Sequence, residues 1–256
     1  MVPMRKQENE TELVQELRLV PDVRVKINEP LAPYTSMKIG GPADYFLEVG
    51  SRAALIETLR LLNRHGIPSC LLGKGSNVLV SDLGVRGGVL RLTGEFGRIE
   101  WREAGEKVLV HVGAAYPVTQ LVRQAARKGY SGLEFAEGIP GSVGGALVMN
   151  AGAYGSEMEK IVNRVEGVTD KGKAVSFSRD EMAFTYRDSH LPQGTIVTAV
   201  GMRLEKGAVE EAGTRVRELV GRRKRSHITT GPVQGEATIP AIIPKRNIPP
   251  RLPRLP

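Results

Sequence analysis

Two glycine-rich stretches could do chemistry that a packed core does not ask for. The first, Gly73-Lys74-Gly75-Ser76-Asn77, follows the apolar pair Leu71-Leu72 and leads into Val78-Leu79-Val80. Gly73 and Gly75 free the backbone for unusual conformations and for close approach to a ligand. Ser76 and Asn77 add side-chain hydrogen bonds, and Lys74 adds a charge. The spacing is not G-x-G-x-x-G, because Asn77-Val78 stand where the third glycine would lie, and it is not a P-loop, which needs G-K-[ST] after a four-residue gap. The second stretch runs from Gly138 to Glu157. Five of its first eight residues are Gly or Pro: Gly138, Pro140, Gly141, Gly144 and Gly145, with Ile139, Ser142 and Val143 among them. Pro140 pre-sets a turn, and Val143, Ala146, Leu147 and Met149 give a short helix one apolar face. A glycine turn opening a helix presents unpaired N–H groups and a positive dipole end, which suits a pyrophosphate. Each stretch alone is also what a tight surface turn before a core element looks like. Two in one chain, both able to meet a diphosphate, point to a dinucleotide site.

These loops need elements to hold them. Thr11 to Val20 forms a helix face with Leu13, Leu17 and Val20, stopped by Pro21. Residues 28–44 hold three prolines and two glycines and are expected as loop. Tyr45 to Val49 is a strand. Ser51 then caps a helix to His65, with Leu55, Ile56, Leu59 and Leu62 inward, and Gly66 ends it. Pro68 to Leu72 is a short buried strand that delivers the first glycine loop. Strands follow at Gly88 to Leu92, Phe96 to Arg102 and Lys107 to Val112. Pro117 opens a helix at the first-turn position it favours, and Gly129 closes it. After the second glycine loop, Val162 to Val168 and Ala174 to Ser178 form a hairpin around Asp170-Lys171-Gly172. Thr195 to Glu205 is a long strand, and Val209 to Arg225 an amphipathic helix.

Composition bounds the function. A chain of 256 residues holds one large domain or two to three small ones. No apolar run approaches the ~20 residues of a membrane helix, and Met1 to Glu10 is polar and charged, so neither a membrane span nor a signal peptide is expected. The single cysteine, Cys70, lies in an apolar run and is expected to pack in the core. Four scattered histidines and no cysteine cluster suggest no metal site, and a cytosolic address fits. The net charge of +8 is concentrated in residues 221–256, which hold eight Lys or Arg and one acid, Glu236. A basic tail can bind nucleic acid, but no aromatic residue follows Tyr186 to stack on bases, so nucleic acid is not the expected partner. Five of the last 13 residues are proline, and 228–256 is expected to be extended or weakly ordered rather than a domain.

Four motifs occur in one order: Pro33-Tyr34-Thr35-Ser36 with Ile39-Gly40-Gly41-Pro42-Ala43-Asp44; Gly73-Lys74-Gly75-Ser76-Asn77 with Asp82; Gly138-Ile139-Pro140-Gly141-Ser142-Val143-Gly144-Gly145 with Asn150-Ala151-Gly152-Ala153-Tyr154-Gly155; and Phe184-Thr185-Tyr186-Arg187-Asp188-Ser189. Across residues 25 to 225 the chain resembles the UDP-N-acetylenolpyruvoylglucosamine reductases of bacterial peptidoglycan synthesis. The resemblance implies an α+β fold, with a two-lobed FAD-binding unit of the vanillyl-alcohol oxidase type and a third, substrate-binding lobe. It implies a cytosolic enzyme that moves hydride from NADPH through FAD to the enolpyruvyl group of a UDP-sugar. On this chain the lobes are expected at 1–72, 73–206 and 207–256, the last only a remnant.

The resemblance marks Gly73, Lys74, Gly75, Ser76, Asn77, Asp82, Gly138, Ile139, Pro140, Gly141, Ser142, Gly144, Gly145, Asn150 and Gly152 as cofactor-binding, Arg187 as catalytic and Tyr186 as substrate-binding. The chemistry agrees. Hydride addition to an enolpyruvyl carbon pushes charge into its carboxylate, and a fixed arginine stabilises that charge. From the residues alone, Arg187 could instead be ion-paired with Asp188. The family also implies a proton-donating serine in a Gly-Ser-x-Phe-Lys-Asn-Pro stretch after the basic helix, and a glutamate in the third lobe. Neither motif is found; Gly235-Glu236-Ala237 stands near the expected place, and Ser226 lies in the basic helix end. The change of pattern after Arg225 reads as a truncated or frame-shifted C-terminus, and the alternative expectation is a flavin-binding chain without turnover.

Overall fold

The computed structural model describes residues 4–210, 213–215 and 218, with side chains from Glu12 onward. Helix α1 (Met4–Leu19) carries Leu13, Val14 and Leu17 into the core at helical spacing and ends before Pro21, which has no N–H to continue it. Strand β1 (Val23–Pro30) pairs antiparallel with β2 (Pro42–Val49), from Val23 opposite Val49 to Pro30 opposite Pro42. Helix α2 (Arg52–Arg64) begins where the Ser51 hydroxyl accepts the Ala54 N–H, and it buries Leu55, Leu59 and Leu62. Strands β3 (Ser69–Leu71) and β4 (Val85–Leu92) complete a sheet of order β1-β2-β4-β3, with β4 parallel to both of its neighbours. The first glycine loop therefore leaves the carboxyl end of a parallel strand, where open α/β sheets place their ligands.

A second sheet follows. Strands β5 (Ile99–Ala104) and β6 (Lys107–Gly113) form a hairpin. Helix α3 (Val118–Arg127), the two-residue β7 (Tyr130–Ser131) and helix α4 (Val143–Val148) lead to the small hairpin β8 (Gly152–Ala153) and β9 (Ser156–Glu157). Strands β10 (Val162–Thr169), β11 (Ala174–Ser178) and β12 (Thr195–Lys206) finish the sheet in the order β11-β10-β12-β6-β5, all antiparallel, with β7 paired to β12.

One apolar cluster joins α1, α2, one face of the first sheet and the inner face of the second, from Leu13 through Leu55 and Val110 to Val200. The other face of the first sheet carries a smaller cluster of Leu31, Ala43, Phe46, Leu72, Val80 and Val89. Strand β2 is buried on both sides: Phe46 and Leu47 are neighbours on opposite faces and both are 0% exposed. The smaller cluster matters for function, because Leu72 and Val80 anchor the two ends of the first glycine loop in it.

Most expected elements are present. The differences lie where local signals compete with pairing. Strand β1 runs through Asn28 to Pro30 and β2 begins at Pro42, so the loop expected over 28–44 shrinks; proline is tolerated there because the Pro30–Pro42 pair sits at the strand ends. Phe96 lies in a 3-10 turn over Gly94–Gly97, before β5. Pro117 is the N-cap of α3 and not its first residue. The lobe boundary expected at 72/73 falls inside the first sheet, since β4 lies beyond it and pairs with both β2 and β3. Of the helix expected from Val209 to Arg225, residues 209, 210, 213–215 and 218 are helical. The remainder, and the proline-rich tail, lie outside the described residues.

Charge also ties helix α2 to the second sheet. Arg52, at the start of α2, donates to Glu166 Oε2 on β10 at 2.7 Å and to Thr198 Oγ1 on β12 at 3.3 Å. His111 Nε2 lies 3.3 Å from the other Glu166 oxygen. Burial pushes the Glu166 carboxyl up, but the Arg52 hydrogen bond and the charges of His111 and Arg52 outweigh it and hold it below the ordinary 4.5. A depressed carboxyl contributes stability that is complete above its unfolded value and lost as pH falls through the folded one. Glu166→Gln is expected to cost on the order of 1 kcal/mol at neutral pH, allowing for solvent screening. It should also flatten the acid limb of the stability–pH curve below 4.5; urea unfolding across that range checks both.

Candidate functional site

Beyond Leu72 the chain surfaces. Gly73 and Lys74 are exposed, Gly75 is buried and Ser76 half-buried. Gly75 has φ +64°, and a Cβ there would stand 2.1 Å from the Tyr34 carbonyl oxygen. Its own carbonyl accepts the Ser36 N–H at 2.8 Å. Glycine is thus demanded at this position by both the backbone angle and the turn over residues 33–36. Among the described residues, no protein acceptor takes the N–H groups of Lys74, Gly75 or Ser76. Successive free N–H groups around a left-handed residue form an anion nest.

The second loop is built differently. Gly138 and Gly141 have φ +76° and +135°. The Ser142 hydroxyl caps α4 by accepting the Gly145 N–H at 3.4 Å. The next two donors are consumed by the β6–α3 connection: Val143 N–H reaches the Tyr116 carbonyl at 2.9 Å and Gly144 N–H the Ala114 carbonyl at 2.8 Å. The unpaired N–H groups expected at this helix start are therefore already spent on the fold. Gly144 is required by packing, since a Cβ would lie 2.8 Å from Ala114 Cβ. Ile139 packs on the main cluster, while Pro140 is exposed.

The two loops meet. Ser76 Oγ donates to the Pro140 carbonyl at 3.2 Å. A Cβ on Gly73 would touch Ser142 Oγ at 3.0 Å, and one on Gly141 would touch Ser76 Oγ at 3.2 Å. Gly73 and Gly145 are informative because the fold does not need them. Neither has a left-handed φ, and in each case the added Cβ would approach only the Ser142 hydroxyl, at 3.0 Å and 3.4 Å. Glycine inside a helix costs roughly 0.5–1 kcal/mol against alanine, so bare backbone at Gly145 is not explained by the fold and leaves room for close approach of a ligand.

Beside Gly73 and Lys74 lies a cavity of about 290 Å³, bounded by residues 33–36, Lys38 and Arg91. Lys38, Lys74 and Arg91 charge its wall, and no carboxylate lines it. Arg91 is held with Cζ 5.2 Å over the Tyr34 ring and Nη1 3.5 Å from Glu48. Tyr34 is itself fixed, stacked on Phe46 at 4.3 Å and donating to Glu29 Oε1 at 2.6 Å. Tyr34, Lys38 and Arg91 line this candidate site but were not marked for it by the sequence, although Tyr34 lies in the first of the four motifs. For Arg91 the only signal was a cation interrupting the apolar run Val89-Leu90-Arg91-Leu92. Asp82 is exposed in the turn before β4 and bonds to neither glycine loop. Asn77 is exposed at the loop's end.

Arg187 sits on a four-residue turn closed by reciprocal bonds, Thr185 N–H to the Asp188 carbonyl at 2.9 Å and the reverse at 3.2 Å. Its Nη1 donates to the Gly152 carbonyl at 3.2 Å, and its Cζ lies 5.1 Å from the centre of the Tyr186 ring, a side chain 78% exposed. Asp188 pairs with His190 rather than Arg187: it accepts the His190 N–H at 2.8 Å, and its other oxygen lies 3.8 Å from Nε2. So most of the Arg187 guanidinium is left for something else. Asn150, Tyr154, Arg187 and His190 all have positive φ, a concentration of backbone strain typical of working sites. Asn150 is 0% exposed, its amide engaged by Thr185 and Glu159. Burial pushes the Cys70 thiol up to about 12, so it is an inert packing group.

Residues 43–178 match a family described as an FAD binding domain. The chain is 45% identical over 206 residues to UDP-N-acetylenolpyruvoylglucosamine reductase 2 of Symbiobacterium thermophilum, covering 78% of this chain and 64% of that protein. It is 38% identical over 214 residues to the UDP-N-acetylenolpyruvoylglucosamine reductase of Lachnoclostridium phytofermentans, covering 83% and 69%. Its structure is similar to that of the UDP-N-acetylenolpyruvylglucosamine reductase from Thermus caldophilus, with a TM-score of 0.67 and 39% identity, over 79% of this chain and 70% of that one. It also shares a fold with p-cresol methylhydroxylase, at TM-score 0.51 and 15% identity over 78% of this chain and 44% of that one. The chain spans about two thirds of the length of the curated relatives it matches.

The geometry separates glycines the fold needs from those it does not. Gly75→Ala is expected to displace the 33–36 turn and lose at least ~2 kcal/mol, because left-handed strain of about 1–2 kcal/mol adds to a backbone collision. Gly155→Ala, with φ +79° but open space around it, should lose only the strain. Thermal unfolding of the two variants measures the difference.

Proposed function

The chain belongs to the UDP-N-acetylenolpyruvoylglucosamine reductase family, and from that premise we propose that it binds FAD between its two glycine loops. We propose further that it reduces UDP-N-acetylglucosamine enolpyruvate to UDP-N-acetylmuramate with NADPH, a cytoplasmic step of peptidoglycan synthesis. The observation that carries the reading is the bare backbone of Gly73 and Gly145 flanking the Ser142 hydroxyl, where the fold requires no glycine. The free N–H groups of Lys74, Gly75 and Ser76 supply donors to a diphosphate, and the Lys38, Lys74 and Arg91 wall offsets its charge. The second loop contributes closeness rather than donors.

When bound, FAD supplies the hydride that NADPH provides. The rest falls to this chain's side chains. Arg187 holds the substrate carboxylate with the donors left over from its Gly152 bond and stabilises the charge that grows there. Half-burial strengthens that attraction relative to open water. Tyr186 lies under the guanidinium and is exposed enough to reach the nucleotide sugar. The organisation that fits this reading is a first lobe containing the sheet of residues 23–92, a second containing that of 99–206, and a third from 207 on. The residues after 218, where the family's serine and glutamate would fall, lie outside the described residues.

The purified chain is expected to be yellow and to oxidise NADPH only when the enolpyruvyl sugar nucleotide is present. Bound flavin without that dependent turnover would leave the cradle standing and remove the reductase reading, and a colourless chain that takes up no FAD would remove both. Gly145→Ala tests the cradle itself. Melting temperature should hold or rise, as for any helical glycine replaced by alanine, while FAD affinity falls roughly tenfold, because a methyl group takes the space of a close contact. Flavin-fluorescence titration beside a melting curve reads the two effects separately.

A further inference from the structure

We infer that Asn150 is the positioning residue for Arg187, and that it ties the arginine's turn to the diphosphate loop as one rigid unit. The family motif places Asn150 among the cofactor contacts. The structure gives it other work. Its side chain is 0% exposed, Nδ2 donates to the Thr185 carbonyl at 3.1 Å, and Oδ1 accepts the Glu159 N–H at 3.0 Å. The amide orientation is forced, since a carbonyl can only accept and an N–H can only donate.

Two further bonds reinforce the clamp. Ser189 N–H reaches the Val148 carbonyl at 3.2 Å, and Arg187 Nη1 reaches the Gly152 carbonyl at 3.2 Å. Residues 185, 187 and 189 are thus each fastened to the segment 148–152, on both sides of the arginine. That segment begins at the last residue of α4 and runs to the start of β8, and at the other end of α4 is the Ser142 cap at the glycine loop. Six helical residues span about 9 Å at 1.5 Å each. The helix therefore acts as a short strut with the cradle at one end and the arginine's turn at the other.

The residue type is specified twice. Asn150 has φ +36°, in a region where asparagine is among the few non-glycine residues tolerated. The clamp also needs a donor and an acceptor at one short reach. Aspartate lacks the donor, serine is too short, and glutamine is one methylene too long. The inference rests on the proposed function for what Arg187 does, but the clamp itself is independent of it. Electrostatic stabilisation is steep in geometry, and a displacement of ~1 Å can cost about 10²-fold in rate.

FAD-loaded Asn150→Asp separates the roles, because it keeps the acceptor for Glu159 and replaces the donor to Thr185 with a carboxylate oxygen, an added charge for which Asn150→Gly is the control. Hydrogen exchange at the Thr185 and Asp188 amides should quicken at least ~10-fold as the turn loosens, with residues 143–147 unchanged. Reoxidation of the reduced flavin by the enolpyruvyl sugar nucleotide should slow by about 30-fold or more. Flavin reduction by NADPH and the FAD dissociation constant should each shift less than about threefold, since neither depends on where Arg187 stands. Asn150→Gly, which relieves the backbone angle while removing the amide, should show the same pattern and keeps the test readable if the aspartate unfolds. Unchanged exchange at Thr185 and Asp188 would overturn the clamp. Weakened FAD binding, or equal slowing of both half-reactions, would overturn the positioning role. If the wild-type chain binds FAD and is never reoxidised by the substrate, the proposed function fails, and the exchange comparison alone decides the clamp.

Discussion

The candidate site depends on backbone approaching backbone. The Tyr34 carbonyl lies where a Gly75 side chain would be, and the Gly73 and Gly141 α-carbons face the hydroxyls of Ser142 and Ser76. Gly75 leaves no room for a side chain and Gly141 only a strained one, while a Cβ at Gly73 would ask only a small shift of the Ser142 hydroxyl, so three turns from distant parts of the chain share one small region. Their supports differ. The first loop is pinned at both ends into the small cluster on the first sheet, through Leu72 and Val80. The second is pinned by Val143 and Leu147 in the main cluster. The bond from Ser76 to the Pro140 carbonyl then fixes one set of supports relative to the other.

On the proposed reading, this arrangement divides the labour of holding an anion. Free N–H groups come from the first loop, where no helix follows. The second loop opens a helix, yet its N–H groups at 143, 144 and 145 are already bonded to Tyr116, Ala114 and Ser142. What it offers is the absence of side chains. Charge comes from a third source, the wall of Lys38, Lys74 and Arg91, with Arg91 kept in place by Glu48 and the Tyr34 ring. The sequence motifs put donors at the helix start and charge on Lys74 alone; in the structure the helix-start donors are spent, and Lys38 and Arg91 join Lys74.

Much of the fold was legible in the sequence because its signals are local. Ser51 caps α2 as its position suggests, and the Asp170-Lys171-Gly172 turn joins β10 to β11. Strand β1 was hidden because Asn28 and Pro30 signal loop, while the strand exists only by pairing with β2. The extent of the first sheet was hidden for the same reason, since β4 joins it from across a long connection. At the site, the glycine loops were visible as composition. The roles of individual glycines were not, because Gly75 is compelled by a carbonyl far away in sequence and Gly145 by nothing in the protein. The partner of Asp188 could not be told from its sequence neighbours either; the tight turn at Arg187 points the two side chains apart and gives Asp188 to His190.

The order of the first sheet has a bearing on the chain's biogenesis. Strand β3 lies at the edge, and among the described residues its only strand neighbour is β4, the last of the four to be made. On the ribosome, the loop after β3 can meet the 33–36 turn at once, through the Ser36 bond to Gly75, but its opposite wall waits for Gly145. On the proposed reading, coenzyme capture waits for the chain beyond Gly145 to be made, because the receptacle is complete only when both loops exist.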